Sequence, residues 1–298
     1  MDKYDNIGDN EIRVIGSVPE EKESPSIEEN ATKENKGLRS NRAVVAAVFV
    51  VLLLLVAFLI QRSCSGHNDE KPVVTQLPAE TQNAQSYVEI SDTIINNISL
   101  HRFIPVNAKP KLEVGVIQKF PSDYILGAMA ADFGLIKDKY EVIGGFIYRG
   151  NMISYSKSKY GFCALLPDTT LIGCDLTTAY FEKAIEEKGD FFRQYALVHN
   201  GEVVSNPPTH KDALRRSLCR LNDGRLCVID TDMSVSLDSF SIALQHYDVV
   251  DAISLMGSGA AVRWAVDKAG RRFIAGADEY DFPDVVNYIV WEKQKKGK

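Results

Sequence analysis

Three turn sequences divide the second half of this chain into short paired runs. Pro167-Asp168-Thr169 stands between the runs 160–166 and 170–174, His199-Asn200-Gly201 between 195–198 and 202–204, and Asn222-Asp223-Gly224 between 218–221 and 225–229. Asn-Gly and Asp-Gly accept the left-handed backbone of a tight hairpin, and short apolar runs beside such turns read as strands. A chain punctuated in this way folds its runs back on one another as antiparallel sheet.

Further strands are expected at 112–116, where apolar and polar residues alternate, and at 124–126, which feeds Gly127. The run 142–148 carries Gly144-Gly145, the mark of a bulge or of close backbone approach. The run 249–255 reads as a mostly buried strand, and 282–291 supplies a last one. Leu176, Ala179, Tyr180, Ala184 and Ile185 fall at helical spacing behind the capping candidates Asp175 and Thr177. Ser236 caps a second helix carrying Leu237, Phe240, Ile242 and Leu244. The expected fold is α+β, a mixed, largely antiparallel sheet with a few helices, preceded by one transmembrane helix.

That last element comes from the N-terminal quarter. Residues 1–42 are rich in Asp, Glu, Lys, Asn and Ser, bury too little apolar surface to offset the entropy of ordering, and are expected to be a disordered tail. Residues 43–60 contain no polar side chain and would span ~27 Å as a helix, close to the thickness of a bilayer core. A transmembrane helix over 43–61 follows, a cleaved signal peptide being the competing reading. Lys33, Lys36, Arg39 and Arg42 precede it and Arg62 alone follows closely, which places the tail in the cytoplasm and the rest outside. Residues 62–85 read as a linker and 86–298 as one extracytoplasmic domain, with a partner for the tail possible. The formal net charge of -6, with no cationic stripe, gives no sign of nucleic-acid binding.

Cys163 and Cys174 are symmetric about Asp168-Thr169, and Cys219 and Cys227 about Asp223. Each pair is either a cross-strand disulfide, permitted in an oxidising compartment, or two small apolar residues on buried strand faces. No Cys/His spacing suggests a zinc site, and the sequence leaves any cofactor unknown.

The order of elements from Leu214 to Trp264 carries a resemblance. Arg215-Arg216-Ser217, then Asn222-Asp223-Gly224, then the helix from Ser236 to His246, then Ala252-Ile253-Ser254-Leu255 and Met256-Gly257-Ser258-Gly259-Ala260 resemble the core of the phosphodiester glycosidase family. The resemblance implies a sugar phosphodiester or glycan as ligand, with Arg216 clamping phosphate beside the turn Gly257, Ser258, Gly259. In the family the strand ends in Leu-Asp-Gly-Gly-Gly-Ser; here Met256 replaces the carboxylate and Ala260 the hydroxyl. A second family signature, Asn-Gly-Gly-Phe-Phe, aligns with Ala130-Ala131-Asp132-Phe133-Gly134, where Asp132 is a displaced carboxylate or a turn former.

Phe191-Phe192-Arg193-Gln194-Tyr195 suits a sugar face and its hydroxyls, or a core. Arg193 therefore joins Arg216, Gly257, Ser258 and Gly259 as a candidate ligand-binding residue. Asp132 and His199 are the weak catalytic candidates; an imidazole suits acid or base work, but His199 sits in a hairpin turn. Loss of the carboxylate leaves three readings open. The domain hydrolyses a sugar phosphodiester, or binds a glycan, envelope polymer or protein without turnover, or serves as a structural module in which no pocket joins Arg216, Gly257 and the aromatic segment.

Overall fold

A computed structural model describes residues 85–117, 121–205, 211–276 and 282–294. In chain order the strands are β1 (Tyr87–Ile95), β2 (Ile98–Val106), β3 (Ala108–Val114), β4 (Tyr124–Met129), β5 (Phe133–Ile136), β6 (Lys139–Val142), β7 (Phe146–Tyr148) and β8 (Asn151–Ser154). They continue as β9 (Gly161–Leu166), β10 (Thr169–Cys174), β11 (Asp190–Gln194), β12 (Ala196–His199), β13 (Glu202–Val203), β14 (Arg216–Leu221) and β15 (Leu226–Thr231). The last four are β16 (Val249–Leu255), β17 (Arg263–Val266), β18 (Arg272–Ala275) and β19 (Asn287–Lys293). Helix α1 (Ala179–Glu186) lies before β11 and α2 (Leu237–Gln245) before β16.

The strands form a seven-stranded sheet ordered β1-β2-β15-β14-β16-β12-β13, two five-stranded sheets ordered β10-β9-β11-β7-β8 and β18-β17-β4-β19-β3, and the separate hairpin β5-β6. One core draws on all three large sheets, with Phe103, Leu218 and Ile253 from the first, Cys163, Ile172 and Phe192 from the second, and Ile125, Ile289 and Trp291 from the third. The opposite face of the seven-stranded sheet is covered by α2 through Leu237, Phe240, Ala243 and Leu244. In β4, a Cβ on Gly127 would lie 2.2 Å from the Trp264 ring, so the glycine makes room for the indole in mid-strand rather than ending the strand.

The fold class is antiparallel β rather than α+β. Among the described residues nineteen strands stand against two helices of 8 and 9 residues. Strand pairing is antiparallel throughout, so the sheets are not mixed; the parallel contact between Val88 and Asp267 is an isolated bridge. Both expected helices are present, but the long β1-β2 hairpin was not anticipated and its neighbours were undercounted. Among the described residues no helix is long and apolar enough to cross a membrane. The expected tail, the helix over 43–61 and nearly all of the linker lie outside the described residues.

Local details follow the sequence chemistry with corrections. Ser236 caps α2 by accepting a hydrogen bond from the Ser239 amide at 3.0 Å. Asp175 and Thr177 do not cap α1; the Asp175 carboxylate instead accepts from the Thr177 amide at 3.0 Å, closing a turn ahead of the helix. The buried face of α1 is Phe181 and Ala184, while Ile185 is exposed. Cys219 and Cys227 are direct partners across β14 and β15. Cys163 faces Ile172 and Cys174 faces Gly161, because that hairpin is centred one residue earlier than its apparent symmetry implies, which shifts each cross-strand partner by two. All four are free thiols.

Candidate ligand-binding site

One cross-strand row builds the site. Leu255, Arg216, Asp230, His101 and Asp92 are successive partners across β16, β14, β15, β2 and β1, and directly opposed residues in an antiparallel sheet project from one face. The row lies at the sheet end where β16 runs into the segment 256–262. Arg216 is 5% exposed and turns its side chain toward that segment. Its Nη1 donates to the carbonyls of Met256, Ala261 and Val262 at 3.4, 3.1 and 3.3 Å. One guanidinium thus ties both ends of the loop to the strand.

Beneath it, Arg216 Nη2 donates to Asp230 Oδ2 at 3.5 Å and Arg263 Nε donates to the same oxygen at 3.1 Å. Two buried guanidiniums share one buried carboxylate, so the group carries a surplus positive charge. Burial pulls the Arg216 guanidinium down to about 10, with Asp230 opposing the shift and Arg263 adding to it. Arg216 Nε and Asp230 Oδ1 have no hydrogen-bond partner among the described residues. Leaving buried polar atoms unpaired is costly, and such atoms mark a place where the protein is not optimised for stability alone.

Over this group opens a recess of about 190 Å³, lined by His101, Arg215, Arg216, Asp230, Asp232, Arg263 and the turn Gly257, Ser258, Gly259. The glycines differ in what they do. A Cβ on Gly257 would lie 2.6 Å from the Leu214 carbonyl oxygen, so that glycine permits the loop to touch the chain entering β14. A Cβ on Gly259 would meet nothing within 4 Å. Neither has the positive φ of an alternating-hand anion nest, so the turn contributes backbone access rather than a preformed cradle. Ser258 Oγ accepts from the Ala261 amide at 3.2 Å, a bond that does not use the hydroxyl hydrogen.

His101 forms one side of the mouth. Its Nδ1 lies 2.7 Å from Asp92 Oδ1 and its Nε2 3.3 Å from Asp232 Oδ2. Burial alone would lower the imidazole pKa, but the hydrogen bonds to Asp92 and Asp232 and the charge of Asp230 outweigh it and raise the pKa above 6.5.

The other candidates lie elsewhere. Asp132 is paired with Lys159, whose Nζ is 2.5 Å away. The same ammonium donates to Gln194 Oε1 at 3.0 Å and stands 5.1 Å from the Tyr195 ring centroid. Arg193 donates to the carbonyls of Asp175 and Thr177 at 2.6 and 2.8 Å, bracing the loop before α1. Phe191 and Phe192 are core residues. His199 sits at the other end of the seven-stranded sheet, its Nδ1 2.9 Å from Asp251 Oδ1. Asp251 is also paired with Arg220, and these hydrogen bonds and charges hold its carboxyl below the usual range against the effect of burial. Met256 packs against the cluster around Trp264 and Tyr288. Among the described residues no group of three or more His, Cys, Asp or Glu side chains is arranged to hold a metal ion.

The structure therefore joins Arg216, Gly257, Ser258 and Gly259 in one recess and leaves Asp132, Arg193 and His199 outside it. Asp230, Arg263, His101 and Asp232 were not anticipated. Asp230 was within reach, since the symmetry about Asp223 that opposes Cys219 to Cys227 also opposes Arg216 to Asp230.

No protein-family model matches the chain, and no curated protein matches it. Among solved structures it is similar to the catalytic domain of zebrafish N-acetylglucosamine-1-phosphodiester alpha-N-acetylglucosaminidase, auto-inhibited by its pro-peptide, with a TM-score of 0.52, 13% identity, and coverage of 76% of this chain and 87% of that one. A hypothetical protein from Synechocystis is more distant, with a TM-score of 0.47, 10% identity, and coverage of 75% and 64%. At 13% identity the first likeness is one of fold: the domain has a phosphodiester glycosidase-like architecture.

Proposed function

We propose that the domain binds a sugar phosphodiester, or a glycan bearing such a group, in the recess between Arg216 and the turn Gly257, Ser258, Gly259, and that it does so without turnover. The observation that carries this is the pairing of two buried guanidiniums with one carboxylate beneath an open recess. An arriving monoanion offsets the surplus charge. Arg216 acts through its field and through the loop it holds, not as a fork on phosphate oxygens, because its Nη groups are already engaged. The recess suits one phosphate-sized group, with the rest of the ligand lying across the exposed rim.

The non-catalytic half rests on the positions that the resemblance nominates for acid-base chemistry. Met256 offers no proton, Asp132 is paired with an ammonium, and His199 belongs to the far end of the sheet. Removing general acid-base help alone lowers a rate about a hundredfold or more. Titration of the purified protein with a chromogenic sugar phosphodiester tests both halves. Saturable binding with no chromophore release is expected. Release of the chromophore would assign hydrolysis instead, and absence of binding would remove the recess as the ligand site. Placement outside the cytoplasm is part of the proposal; protease treatment of intact cells should digest the domain, and its protection would exclude that placement.

A further inference from the structure

We propose that His101 is a ligand-contacting residue of the recess and supplies the positive charge on which anion binding depends, with Asp232 as the internal carboxylate that a bound anion displaces. The inference rests on the reading of the recess as an oxyanion site and assigns a residue to it.

The charge balance is the first step. Arg215, Arg216 and Arg263 line the recess against Asp230 and Asp232, and Asp92 holds the far nitrogen of the His101 ring. Counted over the recess and its mouth, three guanidiniums face three carboxylates, so protonation of His101 takes this larger group from zero to one net positive charge, added to the local surplus of Arg216 and Arg263 over Asp230. Among the described residues the titratable groups at hydrogen-bonding distance of the ring are Asp92 from β1 and Asp232 from the segment after β15, while Asp230 from β15 acts on it through its charge.

The second step is geometric. The two ring nitrogens are held unequally. Nδ1 is 2.7 Å from Asp92, a short charge-assisted bond, whereas Nε2 is 3.3 Å from Asp232. Asp232 is 56% exposed in its side chain and, among the described residues, receives one other bond, from Ser99 Oγ at 3.3 Å. A hydrated carboxylate in a long bond is the easier of the two to replace. An anion entering the recess therefore takes Nε2–H from Asp232 while Asp92 keeps the ring in place. The Ser258 hydroxyl, which also lines the recess, is the second donor such an anion meets.

The test uses a methyl diester of a hexose 1-phosphate, whose single charge does not change across the range in which an imidazole titrates. Its affinity for the full-length protein is measured by calorimetry at about pH 5 and about pH 8. Wild type is expected to bind roughly tenfold or more tightly at the lower pH, the worth of one hydrogen bond to a charged group. His101→Gln should bind weakly with equal affinity at both. Asp232→Asn should bind more tightly than wild type at the lower pH, a gain that a merely structural role for the segment would not give. Asp92→Asn should lower the midpoint of the pH dependence while leaving the dependence itself. Equal wild-type affinity at both pH values, a pH dependence that survives His101→Gln, or weaker binding by Asp232→Asn would each overturn the role given to His101 while leaving the recess as a site. No binding at either pH would remove the site and this inference together.

Discussion

The cluster around Lys159 and the cluster around Arg216 each bury a cation against a carboxylate in the same domain, and they finish differently. Lys159 Nζ has Asp132 at 2.5 Å, Gln194 Oε1 at 3.0 Å and the face of Tyr195 on its remaining side. Gln194 in turn donates to the Ala130 carbonyl at 3.2 Å and accepts from Ser254 at 3.4 Å. Charge is matched one to one and the chain of donors and acceptors closes. Around Arg216 charge is matched two to one, two buried polar atoms stay unpaired, and a recess opens above. A completed network of this kind is a brace; an incomplete one beside open space has room for a ligand.

The largest test of this contrast is Arg216→Met. It removes the donor to three loop carbonyls and one of the two cations on a buried carboxylate, and breaking one side of a buried pair costs about 3–5 kcal/mol. Denaturant unfolding should show that loss together with loss of ligand binding. If stability falls by much less, the loop does not depend on this guanidinium. Lys159→Met should be milder, about 1–3 kcal/mol for one unsatisfied partner, because Asp132 is 27% exposed in its side chain and can be hydrated. Ligand affinity should be unchanged in this variant. A matching fall in affinity would show that the two clusters act as one site.

Gly257→Ala and Gly259→Ala sharpen the comparison within the recess itself. A methyl group at Gly257 meets a backbone carbonyl that has no side-chain freedom to yield, which predicts about 1–3 kcal/mol of destabilisation. At Gly259 the methyl group enters open space, and stability should stay within about 0.5 kcal/mol. Any effect there should fall on ligand affinity. Unfolding curves for both variants, with affinities beside them, separate a packing glycine from an access glycine. Equal destabilisation by the two would erase the distinction.

How much of this was legible in the sequence depends on which contacts set each feature. Turn residues act locally, so Asn200-Gly201, with φ of 50° and 79°, announced their hairpin. The Asn96-Asn97 turn has the same left-handed pair, at 51° and 62°, and was missed because Asn-Asn is a weaker cue than Asn-Gly. That omission hid β1 and β2, and with them His101. Helix α2 was recognisable from period and cap and α1 from period alone, which gave them undue weight in the fold class. Arg216 and the Gly257 turn were placed together by the family resemblance, and they meet because β14 and β16 are adjacent antiparallel strands, the start of one beside the end of the other. Arg263 was not, because β17 leaves the seven-stranded sheet for another and only tertiary packing returns its guanidinium to Asp230.

The smallest expected effect is a pH dependence of stability that belongs to the recess alone. The pKa of His101 is raised in the folded protein above its ordinary 6.5, so the folded state binds the proton more tightly than the unfolded chain. The stabilisation is fully present below 6.5 and is lost as pH rises through the folded value. The Lys159 cluster contains no histidine, so variants there should leave the slope intact, while His101→Gln should flatten it. The effect is held to about 1 kcal/mol or less, since the partners Asp92 and Asp232 are well hydrated. Following the imidazole by NMR titration alongside thermal unfolding at several pH values decides the point. A midpoint at or below that of an unperturbed histidine would mean that burial outweighs the two carboxylates.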